Sequence, residues 1–182
     1  MRLRVDGPDL REAGPDVWYA SGPLGTFGAA EIAFLKECAK ASPRMRARIC
    51  AHENVDSPVH EMLIAHHRSC YVRPHRHPYK AESLLVVEGE ATAVFFDDAG
   101  GVQSTLELGA APAATFSYRT APGIWHGLLI RSDWLLFVEH SSGPFDPQSS
   151  EFPQWAPDGS NAAESAAYIE GVMTRVSRQN GA

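Results

Sequence analysis

The sequence has few cysteines and no arrangement of them that implies a cross-link or a zinc knuckle. Cys38, Cys50 and Cys70 are an odd number without CxxC spacing, so we expect three reduced thiols and a cytoplasmic protein. No apolar run approaches the length of a membrane-spanning helix. The first residues, MRLRVDGPDL, lack the apolar core of a secretory signal. Basic residues form no cluster: 16 Lys and Arg stand against 22 Asp and Glu, a net charge of −6. That balance argues against a nucleic-acid or anionic-membrane partner. There is no glycine-rich phosphate loop, no Ser-His-Asp order, no zinc-ribbon spacing and no repeat of 20–50 residues.

What is present suits one domain with a real core: 182 residues, of which 44% are hydrophobic. Residues 1–27 are rich in Gly, Pro and Asp and read as an irregular lead-in, with a short strand near VWYA. AAEIAFLKECAKA (29–41) spaces Ile32, Leu35, Cys38 and Ala39 as one face of a helix, closed by Pro43. From residue 44 the pattern changes to short strands between Gly, Pro and Asp turns. The strands are expected at 44–52, 60–67, 70–77, 82–96, 102–108, 115–120, 125–130 and 134–140. The 82–96 run is expected to fold into a hairpin at Glu88-Gly89. Such spacing points to an antiparallel sandwich or barrel. After a Ser/Pro/Gly/Asp-rich tail, Asn161 and Glu164 suggest a helix start. Ala166, Ile169, Val172, Met173 and Val176 then give that helix an apolar face, to pack on the barrel or on a sister subunit. We therefore divide the chain into a lead-in and helix (1–43), a β-barrel (44–145) and a C-terminal extension with a helix (146–182).

The chemistry concentrates in PHRHPYKAESLLVVEG, residues 74–89. His75 and His77 are two apart, so on an extended chain both imidazoles point to one side. Pro78 breaks the strand, and the PYKA loop can return Glu82 to the same point. APGIWHG supplies His126 just after a Pro-Gly turn. Three imidazoles and one carboxylate suit a divalent first-row metal.

HRHPYKAESLLVVEG matches the first cupin motif and APGIWH resembles the second. RMRARICAH, HEMLIAHHRSCYVRPHRHPYKAES, the FVEH and GPF segments and FPQWAP together resemble the WbuC family of cupin-fold metalloproteins, over roughly residues 44–157. The resemblance implies a mainly β, antiparallel jelly-roll barrel and a metal held by His75, His77, Glu82 and His126. Two positions depart from the general cupin pattern. Ser69 stands where a glycine is expected, and no asparagine follows His126 at the usual distance. The resemblance brings no settled reaction, although some members lie among surface-polysaccharide synthesis genes.

Four protein ligands fill a tetrahedral zinc site but leave two positions open on an octahedral ion. This favours Fe(II), Mn(II) or Ni(II), with Zn(II) admitted if its coordination expands. Arg46, Arg48 and His52 share one strand face; turned inward, the guanidinium groups could hold a carboxylate or phosphate. Turned outward they would be a basic edge. Glu139 in WLLFVEH and His52 are the candidate acid–base residues. Tyr118 and Lys80 are further candidates for substrate contact. His66 and His67 cannot share a face, so at least one is structural. The expected function is a metal-dependent enzyme on a small polar, sugar-like metabolite, of isomerase/epimerase or dioxygenase type. A non-catalytic metal–ligand sensor or carrier, or a purely structural metal, would use the same ligands. A homodimer is the expected assembly.

Overall fold

The computed structural model describes residues 9–112 and 115–180. The expected lead-in over residues 1–8 and two residues of the small-residue loop, 113–114, lie outside them. Ten strands and two helices follow in the order β1 (Leu10–Gly14), β2 (Val17–Ala20), α1 (Ala29–Ala41), β3 (Arg46–Cys50), β4 (Val59–His67), β5 (Glu82–Glu88), β6 (Glu90–Phe96), β7 (Val102–Gly109), β8 (Ser117–Thr120), β9 (Trp125–Ile130), β10 (Trp134–Ser142) and α2 (Ala162–Asn180). They form a jelly roll of two facing sheets. One has the order β1-β2-β3-β4-β10-β5-β8, the other β7-β6-β9.

Alternation along each strand sorts residues between the sheet faces. On the inner face of the large sheet, Met62, Ile64, Leu84, Val86 and Phe137 meet Ala91, Ala93 and Leu108 of the small sheet. On its outer face, Ala47, Ile49, Leu63, Ala65 and Leu136 receive Leu35 and Ala39 of α1. The helix starts where expected: the Glu31 carboxylate accepts the Gly28 backbone N–H at 2.8 Å, and Pro43 prevents its continuation. Asn161 Oδ1 caps α2 by accepting from Ala163 and Glu164 N–H at 3.0 and 3.2 Å. Val172, Val176, Ile169 and Met173 of α2 cover Val94, Phe96, Trp125 and Leu129 on the outside of the small sheet. Ala166 is exposed, and Ser165 takes the buried place beside it.

Four expectations are corrected. The lead-in carries β1 as well as the VWYA strand, paired as an antiparallel ribbon. The β2–β3 pairing is parallel, unlike every other pairing. Glu88-Gly89 is not a hairpin: β5 pairs with β10 and β8, β6 with β7 and β9, so the chain passes between sheets at Gly89. Gly89 has φ +88°, and a Cβ there would stand 2.0 Å from the Trp134 carbonyl oxygen. A side chain has no room at this crossing. Residues 70–77 form no strand; only His75 and Arg76 make isolated bridges. Pro74 and Pro78 flank these two and withhold the N–H groups a continuous ladder needs. Cys38, Cys50 and Cys70 are free thiols.

Candidate metal centre

Ligand-type atoms of His75, His77, Glu82 and His126 lie within 4.8 Å of one another. Local backbone geometry accounts for their convergence. His75 N–H donates to the His126 carbonyl at 3.0 Å and His126 N–H to the His75 carbonyl at 2.9 Å. A pair so bonded places both side chains on one side, and the rings stand 4.4 Å apart. His77, two residues on, shares the side of His75. Glu82 opens β5 with its side chain on the inner face, beside Leu84 and Val86 in the alternation.

The ring nitrogens show why these histidines suit a cation. Nδ1 of His75 faces the Arg73 carbonyl at 2.9 Å, Nδ1 of His126 the Ile124 carbonyl at 2.8 Å, and Nδ1 of His77 the Ser149 carbonyl at 3.1 Å. A carbonyl oxygen only accepts, so each Nδ1 carries hydrogen and, in the neutral ring, each Nε2 carries the lone pair. Nε2 of His126 stands 3.2 Å from Glu82 Oε2, and that of His77 3.7 Å. Adjacent ligands on an ion with bonds of about 2.1 Å stand about 3 Å apart, so the spacing is near that of a shared ion. His77 Nε2 is buried without a hydrogen-bond partner, as a nitrogen meant for a metal would be. The donor set therefore fits a divalent cation.

Charge is arranged to match. Burial, with His126 beside it, pulls His75 down to about 4, so it is neutral at pH 7. Burial opposes ionisation of Glu82, but the imidazoles of His126, His77 and His75 outweigh it and hold the carboxyl well below its usual range. Glu139 moves the other way. Burial and then the Glu82 carboxylate raise it well above the usual value. Burial, followed by Glu82 and Glu139, raises Tyr118, leaving its phenol a hydrogen-bond donor.

Strand register places the other candidates. Arg48 pairs with Ile64 and Cys50 with Met62, so Arg46, Arg48 and Cys50 share the inner face. The RxRxC face is thus turned inward. Arg48 remains exposed, and its charge acts on Glu139, Cys50, His52 and Tyr19. Lys80 is half-buried and also acts on Glu139. Arg46 does not join the centre: it lies beside His66 and Cys70 at the other end of the strand. His52 does not join it either. Its Nδ1 accepts the Glu61 N–H at 3.0 Å and its ring stacks on His60 at 4.2 Å. His66 is a core residue packed edge-on against Phe137.

Sequence reasoning missed the segment after β10. A single 3-10 turn (Pro147–Ser149) leads into residues 150–157, which run along the ligand segment. The FPQWAP motif flagged this stretch by resemblance, but its composition reads only as a loop.

Residues 27–108 match the model of a family described as a domain of unknown function, DUF6016. That stretch holds three of the four clustered residues and stops short of His126. No curated protein matches the sequence. Among solved structures, the chain is similar to an uncharacterized conserved protein with a double-stranded β-helix domain from Klebsiella pneumoniae (17% identity, TM-score 0.46, 60% of this chain and 84% of that one). It is also similar to KdgF from a Halomonas species (14%, 0.44, 57% and 82%) and to an oxalate decarboxylase variant from Bacillus subtilis (15%, 0.46, 59% and 27%). This chain therefore spans little more than a quarter of the oxalate decarboxylase chain. With each of these TM-scores below 0.5, the fold stands on the sheet topology itself.

Proposed function

We propose that this protein is a WbuC-like cupin metalloenzyme that binds one divalent ion through His75, His77, Glu82 and His126. Its reaction is proton transfer on a small polar, sugar-like metabolite, of the isomerase or epimerase type. The observation that carries the reading is geometric: Glu139 lies diagonally beside Glu82 on one interior face, where burial and Glu82 raise its pKa. A bound ion supplies Lewis acidity, polarising a substrate oxygen. As a carboxylate, which its raised pKa makes the more basic, Glu139 takes the proton from the substrate carbon beside the polarised oxygen and then, as the acid so formed, returns it to carbon, which is general acid–base work. Tyr118 donates a hydrogen bond to a polar substrate group, and Lys80 sits close enough to compensate charge near Glu139. Arg48, exposed on the same face of its sheet, meets an anionic or hydroxyl-rich part of the substrate. Dioxygen chemistry would use the same four ligands, but a second buried carboxyl with a raised pKa beside them suits proton transfer.

The test begins with elemental analysis of tagless protein, comparing wild type with His75→Ala and His126→Ala. One equivalent of Fe, Mn or Ni, lost in both variants, is expected. Metal-loaded protein is then incubated with a sugar panel in deuterated water, with an oxygen electrode in parallel. Solvent deuterium appearing on a substrate carbon without oxygen uptake supports proton transfer. Oxygen uptake would replace it with dioxygenation. Absence of metal from well-supplied protein would sink the reading.

A further inference from the structure

The ligand segment, residues 71–77, belongs to neither sheet, yet it is pinned on both sides. On one side His75 bonds to His126 of β9. On the other, Arg76 N–H donates to the Glu151 carbonyl at 3.1 Å and Glu151 N–H to the Arg76 carbonyl at 2.9 Å. Around this bridge the two segments run antiparallel and lock side chain to main chain. Tyr71 Oη donates to the Pro157 carbonyl at 2.9 Å, and Arg73 Nη2 donates to that of Pro153 at 3.2 Å. The Arg73 guanidinium lies 4.9 Å from the centre of the Phe152 ring, and Arg76 Nε donates to Glu151 Oε2 at 2.6 Å. Residues 149–157 thus act as a strap laid along the ligand segment.

The three imidazoles depend on this strap unequally. His75 and His126 are each oriented by the carbonyl two residues before them, Arg73 and Ile124. The carbonyl two residues before His77, that of His75, instead accepts the His126 N–H at 2.9 Å. Its Nδ1 faces the Ser149 carbonyl, 72 positions along the chain, at 3.1 Å, and the Ser150 hydroxyl at 3.2 Å. Two ligands are therefore set locally, and the third takes its tautomer and ring orientation from the strap.

We infer that Ser149–Phe152 is a positioning element of the metal centre, so that docking of the strap and binding of the metal strengthen one another. This rests on the proposed metal role of the four clustered residues. Coupling of this kind is reciprocal: what the strap adds to metal affinity, the metal adds to strap docking.

The test titrates metal-free protein with Mn(II), comparing wild type with Glu151→Pro, which deletes the N–H bonded to Arg76. Ser150→Ala with Phe152→Ala is a second variant that leaves the backbone unaltered should the proline fail to fold. Loss of such an orienting contact weakens binding by about 10- to 100-fold, while Glu37→Gln, exposed on α1, keeps wild-type affinity. In wild type, amide hydrogen exchange at Glu151 slows when Mn(II) is added, a response a merely structural strap would not give. Wild-type affinity in the folded variants, or exchange indifferent to Mn(II), overturns the inference and leaves the metal centre standing. A wild type that takes up no Mn(II), Fe(II) or Ni(II) overturns both.

Discussion

Glu139 and Glu82 are diagonal neighbours across the β10–β5 pairing, since Ser141 stands opposite Glu82 and Glu139 opposite Leu84. Both side chains fall on the interior face, where two ionised carboxylates side by side are costly. Their environments differ: Glu82 is held well below its usual range, whereas burial and the neighbouring Glu82 raise Glu139. Two adjacent glutamates thereby take different roles. Glu82→Gln is expected to lose the metal, because a neutral amide is a poor fourth ligand. Glu139→Gln is expected to keep a full equivalent and, with a substrate in hand, to lower kcat by about 10²- to 10⁴-fold with little change in KM. Metal content measured beside turnover separates the two. Loss of metal from Glu139→Gln would make Glu139 part of the ligand set instead.

Removing the metal is expected to leave the jelly roll folded. None of the three hydrophobic clusters contains a residue of the donor set, and a domain of this size does not need an ion to close its core. A chelator should leave the far-ultraviolet circular dichroism unchanged and lower Tm by a few degrees, restored by Mn(II), as expected for a ligand of the native state alone. Collapse of the spectrum on chelation would show that the ion holds the fold together.

The clustering of His75, His77 and Glu82 was legible because a two-residue spacing on extended chain survives even where no strand forms. His75 and His77 needed only local extension and the single bridge to His126. The inward turn of Arg46 and Arg48 was open in the sequence, since alternation fixes which residues share a face but not which face is buried. The hairpin expected at Gly89 failed for a related reason. A glycine between two apolar strands marks a bend in either case, and only long-range pairing decides whether the second strand returns beside the first or joins the opposite sheet. The strap was invisible because its hold on His77 passes through a main-chain carbonyl, which leaves no residue-type signature.

The crossing at Gly89 makes its own prediction. Its φ of +88° is strained for any L side chain, and a Cβ would collide with the Trp134 carbonyl at 2.0 Å and the Ser132 hydroxyl at 2.5 Å. Gly89→Ala should therefore cost about 3 kcal/mol or more, combining backbone strain with a displaced β10. Urea unfolding would measure it. A loss under about 1 kcal/mol would mean that the crossing has slack.

His66 is buried on β4 with its Nδ1 unpartnered. Burial, assisted by the Arg46 charge, lowers its pKa to about 3 from the ordinary 6.5. Between these values the unfolded chain binds a proton that the folded chain refuses. Stability must then fall as pH drops below about 6.5, by up to about 1.4 kcal/mol per pH unit, until about pH 3. Above pH 6.5 the group is neutral in both states and contributes no slope. His66→Gln fills a similar volume but does not titrate, so its Tm should decline less steeply between pH 6 and pH 4, whatever its value at pH 7. Parallel wild-type and variant curves over that interval would mean that His66 takes up its proton inside the fold, with Arg46 moving away to admit it.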